Sequence, residues 1–330
     1  MNASTSLLII LRSHERIRSQ YYNGITSAFP ELKVDVVAKA EDADPYLADC
    51  DIIITHGPHL ADKADHVFSK AKKLRWVQGI GTGVDNIADR PSLRDDVIVT
   101  NIHGVHGRPM SEAAVSLMLA LSRKLPRSLE NKAKHKWENW PSRLLSEKTV
   151  GIFGLGSIAE TMAPVFKAFN MTVVGITSGI RPMPGFDEIV DKSRLIETVR
   201  RLDYFVVLTP YTPATHHVIG ANVFAAMKPD AYFINLARGG VLDEGALLTA
   251  LREKRIAGAA LDVFEQEPLQ PDNPLWDVEN VIITCHQAAT HDGSARTNLP
   301  TIQENIRRFL ANDVENMKNR VSRAGPNGKS

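Results

Sequence analysis

Six short apolar runs, each separated from the next by a stretch with helical spacing, follow one another in the later part of the chain. They span residues 150–153, 173–176, 204–208, 232–235, 258–262 and 281–284. Strands that alternate with helices favour a parallel sheet covered on both faces, because each connection crosses over the sheet. This part of the chain is therefore predicted to form a doubly wound α/β domain.

A second alternating series precedes the first. Its apolar runs lie at residues 7–11, 34–38, 52–55 and 74–78. Amphipathic stretches again separate them, which predicts another parallel α/β unit. The predicted fold class is therefore α/β, with two Rossmann-like doubly wound parallel-sheet domains.

Two helices are predicted outside these series. The segment SEAAVSLMLALSRKL, residues 111–125, is apolar enough to be largely buried, between the domains or within one of them. Ser111 is its potential N-cap, and Pro126 follows its predicted end. A last helix is predicted over residues 298–310, and the tail from residue 322 to residue 330 is expected to be flexible.

The first run of the later series leads into a glycine-rich turn, in the segment VGIFGLGSIAE. Gly154, Gly156 and Ala159 have G-x-G-x-x-A spacing between a strand and a helix pattern. In that setting the first glycine permits a tight turn, the second lets the backbone approach a pyrophosphate, and the alanine keeps helix and strand close. This predicts a dinucleotide site; the alternative is a turn that binds nothing. Further predicted members of the site are Leu155, Ser157 and Ile158.

The second strand of a dinucleotide-binding domain usually ends in an acidic residue that holds the ribose hydroxyls of NAD. Here the strand runs into Thr177, Ser178, Gly179, Ile180 and Arg181. Hydroxyl and guanidinium groups can donate to a 2′-phosphate, which a carboxylate would repel. Thr177, Ser178 and Arg181 are therefore assigned to the cofactor, which is predicted to be NADP(H), with NAD(H) as the alternative. That preference fails if Arg181 is only a solvated loop residue.

The composition argues against several other functions. In 330 residues, 39 lysines and arginines balance 38 acidic residues, and a net charge of +1 favours neither nucleic acid nor an anionic membrane as a partner. Cys50 and Cys285 are too few for a disulfide framework and have no metal-ligand spacing, so we expect no metal and a reducing cytoplasm. The apolar stretch 7–11 is too short to span a bilayer and lacks a basic lead.

Eight motifs follow one another between residues 74 and 310. They are GIGTGVDNI, TNIHG, SEAAVSLMLALSRKL, GIFGLGSIAE, LTPYTPATHHVI, NLARGGVLDEGAL, GAALDVFEQEPL and ITCHQAATHDG. Their order resembles that of the D-isomer-specific 2-hydroxyacid dehydrogenases. Within this family, the NADPH-dependent glyoxylate and hydroxypyruvate reductases look most similar, mainly because of the loop 177–181.

The resemblance implies a particular domain organisation. A flavodoxin-like substrate domain would be split between residues 1–101 and 291–330. An NAD(P)-binding Rossmann domain over residues 102–290 would be inserted into it. The resemblance also implies a homodimer, although the segment 111–125 could equally be a buried element within one chain.

Reduction of a ketone leaves negative charge on its oxygen, so the site needs a proton donor and a cation directed at that oxygen. His286 follows a predicted strand end, and an imidazole can give and take a proton near neutral pH. Glu267 would bond to the other ring nitrogen of His286. Arg238 follows another strand end and could hold the substrate carboxylate and the carbonyl oxygen with its rigid fork of donors.

From spacing alone, these roles have alternatives. A lone histidine among 11 is more often a packing or surface residue, and Glu265 competes with Glu267 for the imidazole. The resemblance, matched residue by residue, implies that Arg238, Glu267 and His286 are the catalytic residues. Arg238 and His286 would also contact both substrate and cofactor.

The resemblance implies further contacts. Thr82 and Gly83 match the backbone amides with which the family holds the substrate carboxylate, and the glycines of GIGTGVD allow such a nest of N–H groups. A second nucleotide loop is the alternative for this segment. Asp262 matches a position near the nicotinamide carboxamide. The other residues matched to the cofactor are Met110, Thr209, Pro210 and Ala237.

Four positions depart from the usual family pattern. Cys285 stands where a proline usually precedes the histidine, and Gln287 follows the histidine. Tyr211 replaces a common leucine, and Met110 replaces a common valine. These departures bear on the substrate preference more than on the reaction.

Two classes of function follow from this reasoning. The first is reduction of a small 2-keto acid to a D-2-hydroxy acid, by an NADPH-dependent glyoxylate or hydroxypyruvate reductase or by an NAD-dependent dehydrogenase of another substrate. The second is a dinucleotide-sensing binding protein, like the corepressor relatives of the family. Arg238, Glu267 and His286 do not discriminate between the two, because such relatives can retain them.

Overall fold

The computed structural model describes residues 4–323, which separate into two compact units. The first unit contains the residues up to Val105 and those from His291 onward, and the second is His106–Thr290. The chain therefore leaves the first unit, completes the second and returns to the first. The predicted domain limits, and the assignment of substrate to one unit and cofactor to the other, remain predictions.

The N-terminal segment builds the sheet of the first unit. Its elements are β1 (Ser6–Ile10), α1 (Glu15–Ala28), β2 (Lys33–Val37), α2 (Asp44–Leu47), β3 (Ile52–Thr55), α3 (Gly57–Leu60), α4 (Ala64–Lys70), β4 (Trp76–Gly79) and β5 (Ile98–Thr100). The strands are all parallel, in the order β2-β1-β3-β4-β5. This is the flavodoxin-like order of a doubly wound sheet, so the predicted architecture of this unit is confirmed.

The second unit has its own parallel sheet. Its elements are α5 (Gly107–Ser122), α6 (Leu125–Ala133), β6 (Thr149–Phe153), α7 (Ser157–Ala168), β7 (Thr172–Thr177), β8 (Glu188–Asp191), α8 (Leu195–Val199), β9 (Tyr204–Val207), α9 (Ala221–Ala226), β10 (Tyr232–Asn235), α10 (Glu244–Arg252), β11 (Gly258–Leu261) and β12 (Val281–Ile283). The strand order is β12-β11-β10-β9-β6-β7-β8. This is the Rossmann order with one additional strand after the sixth, and its winding reverses between the paired strands β6 and β9.

Two strands of these sheets were not predicted. β5 and β8 each lie at the edge of a sheet. β5 has only three residues, and in β8 only Val190 is buried. A continuous apolar run marks a strand that is covered on both faces and paired on both sides, and these edge strands lack it.

The predicted helix over residues 111–125 is α5, but it begins one turn earlier, at Gly107. His106 occupies the N-cap, and the Ser111 hydroxyl donates to the carbonyl of Gly107 at 2.7 Å inside the helix, so the predicted N-cap was wrong. Pro126 lies in the first turn of α6. A Cβ at Gly107 would lie 2.2 Å from Oγ1 of Thr161, so α5 packs directly on α7 within its own unit.

The last helix, α11 (Ser294–Leu310), is fixed to the first unit by buried polar contacts. Asn305 Nδ2 donates to Gln78 Oε1 at 3.0 Å, and Asn298 Nδ2 donates to the Tyr21 hydroxyl at 2.8 Å. Buried polar groups are costly when they lose their partners, so these bonds specify where the returning chain docks. Ile302 and Ile306 of the same helix are fully buried.

The tail expected to be flexible begins in an anchored segment. A guanidinium nitrogen of Arg323, Nη2, donates to the carbonyl of Leu93 at 2.7 Å. The expectation was therefore wrong for Arg323, because its side chain finds backbone acceptors in the first unit. Residues 324–330 of that tail lie outside the described residues.

Candidate active site

The predicted glycine turn lies between β6 and α7, where the winding of the sheet reverses. Gly154 has a φ of +101°, and a Cβ there would lie 2.5 Å from the backbone nitrogen of Thr209. A side chain would therefore strain the turn and collide with the loop after β9. Gly156 differs, because among residues 4–323 no heavy atom beyond its chain neighbours and its own helix backbone lies within 4 Å of the Cβ that it lacks. The backbone is thus open on the side where a ligand would approach.

These residues fit the pyrophosphate of a dinucleotide. Gly156 is the N-cap of α7, and no side chain caps the helix there. The first backbone N–H groups of a helix attract anions, and α7 presents them next to the open glycine. Ala159 is fully buried and keeps α7 close to the sheet. The predicted residues Leu155, Ser157 and Ile158 form the rest of this turn and the start of α7.

The loop after β7 carries the residues assigned to the 2′-phosphate. The Thr177 hydroxyl accepts a hydrogen bond from the N–H of Gly179 at 3.3 Å, which shapes the turn. Ser178 and Arg181 are exposed. Arg181 Nη2 lies 2.7 Å from Glu160 Oε1, in the first turn of α7. Sequence reasoning missed Glu160, although an acidic residue directly after the predicted turn was a visible signal.

The three residues predicted to be catalytic follow three neighbouring strands. Arg238 follows β10, Glu267 follows β11 and His286 follows β12. The carboxyl ends of parallel strands lie at one edge of the sheet, so these loops meet. A Cβ at Gly239 would lie 1.8 Å from the carbonyl carbon of Phe264, so the Arg238 loop rests directly on the loop that carries Glu267. Arg238 Nη1 donates to the carbonyl of Ala237 at 2.7 Å.

Glu267 and His286 are in direct contact. Nδ1 of His286 lies 2.7 Å from Oε2 of Glu267, and both side chains are 20% exposed. The other carboxylate oxygen, Oε1, accepts the backbone N–H of Phe264 at 3.1 Å. A carboxylate only accepts hydrogen bonds, so Nδ1 carries a hydrogen and Nε2 is the nitrogen that can exchange a proton with a substrate. The expected contact is present, and the catalytic roles remain predictions.

Asp262 fixes the backbone around His286. The backbone nitrogen of His286 donates to the carbonyl of Asp262 at 2.7 Å, and His286 has a φ of +50°. The buried carboxylate of Asp262 accepts from the backbone N–H groups of Gln287 at 3.0 Å and Ala288 at 2.9 Å, and from the Thr284 hydroxyl at 2.5 Å. A left-handed φ is costly for a residue other than glycine, and it persists where surrounding bonds impose it. The predicted contact of Asp262 with the carboxamide stays a prediction.

Glu265, the competing partner from the sequence, has a different histidine. Its carboxylate pairs with Nε2 of His217, and its backbone N–H donates to Glu244 Oε1 at 2.8 Å. Burial raises the pKa of Glu244, and the nearby charges of Glu265 and Glu267 raise it further. The loop after β11 therefore supplies the glutamates of two histidine–glutamate pairs, and Glu267 is the partner of His286. Sequence reasoning missed His217 and Glu244.

The remaining residues matched to the cofactor lie at the edge of the core. Thr209, Ala237 and Met110 are buried, whereas Pro210 is exposed in the loop after β9, which Gly154 touches at Thr209. The ring of Tyr211, a departure from the family pattern, lies 2.6 Å from a Cβ built at Gly240 and so covers the backbone next to Arg238. Cofactor contacts at these positions remain predictions.

Thr82 and Gly83 belong to the first unit and follow β4. Asn101 Nδ2 donates to the carbonyl of Thr82 at 2.6 Å, which fixes the loop. A Cβ at Gly81 would lie 2.9 Å from Nε2 of His56, which follows β3, so a side chain would displace the imidazole. The loop thus lies at the carboxyl edge of a doubly wound sheet, where such sheets bind ligands. Binding of a substrate carboxylate here remains a prediction.

Two other kinds of feature are absent from residues 4–323. No three histidine, cysteine, aspartate or glutamate side chains of this part of the chain are grouped so that they could hold a metal ion. In the same residues, no helix has both the length and the apolar character needed to cross a membrane.

Comparisons of sequence and of structure with known proteins agree on one family. The profile of the D-isomer specific 2-hydroxyacid dehydrogenase NAD binding domain matches residues 115–288, just over half of the chain. The chain is 34% identical to the D-3-phosphoglycerate dehydrogenase of Methanocaldococcus jannaschii, over 88% of this chain and 56% of that protein. The chain thus spans about half the length of the curated phosphoglycerate dehydrogenases that it matches.

Solved structures extend the similarity to nearly the whole chain. A D-isomer specific 2-hydroxyacid dehydrogenase family protein from Aeromonas salmonicida has a TM-score of 0.84 and 31% identity, over 98% of this chain and 100% of that one. The NADPH-dependent glyoxylate/hydroxypyruvate reductase of Sinorhizobium meliloti, solved with NADP and sulfate, has a TM-score of 0.78 and 28% identity, over 97% and 98% of the two chains.

Proposed function

Because this chain belongs to the D-isomer specific 2-hydroxyacid dehydrogenase family, we propose that it transfers a hydride between a nicotinamide dinucleotide and a small 2-keto acid, giving a D-2-hydroxy acid. The observation that supports this most is the 2.7 Å contact of Glu267 with His286, at the carboxyl edge of a Rossmann-ordered sheet. A histidine supported in this way is what reduction of a carbonyl requires from the protein.

The residues divide the work as follows. The bound nicotinamide supplies the hydride to the carbonyl carbon. His286 donates a proton from Nε2 to the carbonyl oxygen as negative charge builds there, and Glu267 fixes the orientation of the ring. The guanidinium of Arg238 stabilises the same oxygen and the substrate carboxylate. In the first unit, the role proposed for Thr82 and Gly83 is to supply backbone N–H groups to a carboxylate.

The finer assignment is an NADPH-dependent reductase of glyoxylate or hydroxypyruvate. It is supported by the loop after β7, which offers Thr177, Ser178 and Arg181 in place of the acid that NAD binding favours. The Sinorhizobium relative carries that activity in its name. The alternative is an NAD-dependent dehydrogenase of another 2-hydroxy acid, such as the substrate named for the Methanocaldococcus relative.

The test is a kinetic comparison that follows the absorbance of the reduced nicotinamide. The purified protein is given glyoxylate, hydroxypyruvate, pyruvate and other 2-keto acids, each with NADPH and with NADH. We expect the highest kcat/KM for NADPH with glyoxylate or hydroxypyruvate. Failure to turn over any small 2-keto acid with either nucleotide would contradict the proposed reaction.

We also propose a homodimer located in the cytoplasm. Support for the dimer comes from apolar side chains that are exposed in the single chain: Leu125 at 48% and Leu129 at 59%, one turn apart on α6, and Trp137 beyond that helix, which is fully exposed. Support for the location comes from Cys50 and Cys285, which form no disulfide. Light scattering of the purified protein tests the dimer, and a monomer mass would contradict it.

A further inference from the structure

The loop between β7 and β8 is fastened to α7 by two ion pairs. At the start of the helix, Arg181 Nη2 lies 2.7 Å from Glu160 Oε1. At its other end, Lys167 Nζ lies 2.8 Å from both carboxylate oxygens of Asp187. Positions 160 and 167 are two helical turns apart and share one face of α7, so the loop runs along that face.

A backbone contact between the two ion pairs keeps the loop close to the helix. Gly185 has a φ of +84°, and a Cβ there would lie 2.9 Å from the backbone nitrogen of Pro164. The course of the loop is therefore set along the helix and does not depend on either ion pair alone. Removing one pair should release a side chain without displacing the loop.

The two ion pairs differ in their distance from the proposed nucleotide site. Glu160 lies in the first turn of α7, next to the N–H groups that fit a pyrophosphate, whereas Lys167 lies in the last turn. The guanidinium of Arg181 is thus paired with a carboxylate in the first turn of the helix that follows the glycine turn. The group assigned to the cofactor phosphate already has an anionic partner.

The ion pair occupies Nη2 of Arg181, so a phosphate that takes the same edge of the guanidinium in bidentate geometry must displace the carboxylate of Glu160. A phosphate monoester carries more negative charge than a carboxylate near neutral pH, so it can displace Glu160. The displaced carboxylate then lies beside the bound phosphate and repels it. NADH has no 2′-phosphate, so neither effect acts on it.

We propose that Glu160 is a cofactor-specificity residue, which lowers the affinity for NADPH by competing with its 2′-phosphate for Arg181. This rests on the proposed binding of a nicotinamide dinucleotide at the Gly154 turn. The side chains of Arg181 and Glu160 are 55% and 43% exposed, and exposed ion pairs are weak. Glu160 therefore reduces NADPH binding without preventing it.

The experiment measures nucleotide affinity directly, from the fluorescence of the reduced nicotinamide, and needs no turnover. In Glu160→Gln, the Kd for NADPH should fall about threefold to fivefold, while the Kd for NADH changes by less than about twofold. Lys167→Gln is the matched control, because it removes the other ion pair between the same helix and loop. It should leave both affinities unchanged. The Tm of each variant checks that the fold is retained.

Three outcomes would overturn the inference. One is an unchanged Kd for NADPH in Glu160→Gln. The second is an equal gain in Lys167→Gln, which would assign the effect to a looser loop. The third is an undiminished gain when Glu160→Gln is made in an Arg181→Gln background, where no competition for the guanidinium remains.

Failure of the proposed function would look different. If the wild-type chain binds NADPH but reduces no 2-keto acid, the proposed reaction is wrong. The Kd values of the Glu160→Gln and Lys167→Gln variants then still decide the role of Glu160. A wild-type chain that binds neither nucleotide would overturn both proposals.

Discussion

Two loops at the carboxyl edge of the second unit's sheet are held in different ways. The turn that carries His286 is fixed by three hydrogen bonds to the buried carboxylate of Asp262 and by the bond to Glu267. In the other loop, the side chain of Arg181 is more than half exposed and forms a surface ion pair. Proton transfer requires the same position of the His286 ring for every substrate. The choice between NADPH and NADH depends on contacts with a single group, the 2′-phosphate. Substitutions in the His286 turn should therefore reduce the catalytic rate and the stability. Substitutions in the Arg181 loop should change the preference for NADPH over NADH.

The largest effect is expected at His286. His286→Ala should lower kcat/KM for 2-keto acid reduction by about 10² to 10⁴, because it removes the proton donor. NADPH binding should change far less than the rate, because the proton goes to the substrate and not to the cofactor. His217→Ala is the control, since His217 also pairs with a glutamate of the same loop. An equal loss of rate in both variants, or near-normal activity in His286→Ala, would show that the two pairs were assigned wrongly.

Removing the buried charge that holds the His286 turn should reduce stability as well as rate. In Asp262→Asn, one oxygen must replace two as acceptor for Thr284, Gln287 and Ala288, so a buried donor is left without its partner. We expect the free energy of unfolding to fall by about 1 to 3 kcal/mol, measured by urea denaturation. Unchanged stability together with unchanged kcat would mean that the turn does not need this clamp.

A substitution in the exposed Arg181 loop should change only the preference for NADPH over NADH. Arg181→Gln removes the charged donor for the 2′-phosphate, so the ratio of kcat/KM for NADPH to that for NADH should fall about tenfold. The kcat at saturating nucleotide and the Tm should stay near the wild-type values. If the ratio is unchanged, the loop does not select the cofactor and the reason for favouring NADP(H) is lost.

The smallest effect is a pH dependence of stability at Glu244. Burial raises the pKa of this carboxyl, so the folded state favours its protonated form. Its contribution to stability is therefore present at low pH and is lost as the pH rises above the ordinary glutamate pKa of about 4.3 and through the raised folded value. Glutamine does not titrate, but it can still accept the N–H of Glu265.

The stability of wild type relative to Glu244→Gln should consequently decline from mildly acidic to neutral pH. Urea denaturation of both proteins across that range measures the difference, and groups common to both proteins cancel. A difference that is independent of pH, or that grows with pH, would contradict the raised pKa.

The interior of the fold could be predicted from sequence because buried parallel strands need continuous apolar runs, as in the isoleucines of β3. β5 and β8 were missed since an edge strand is short or mixed in polarity. The start of α5 was missed because Ser111 is a good N-cap by type, while the observed N-cap, His106, is of a residue type that rarely caps and makes no side-chain cap hydrogen bond.

The candidate site shows the same limit. Strand ends located Arg238 and His286, because a parallel sheet brings its carboxyl ends together. Spacing could not choose between Glu265 and Glu267, which are two positions apart, since the choice depends on how the loop bends over the Arg238 loop. The pairing of Arg181 with Glu160 depends on tertiary structure in the same way.

The most direct test of the account is one distance in a crystal structure of the chain with NADPH and oxamate, an unreactive 2-keto acid analogue. We predict that Nε2 of His286 lies about 2.6 to 3.2 Å from the analogue's carbonyl oxygen, with Arg238 on its carboxylate. An imidazole directed away from the bound analogue, with another side chain at that oxygen, would contradict the assignment of His286 as the proton donor.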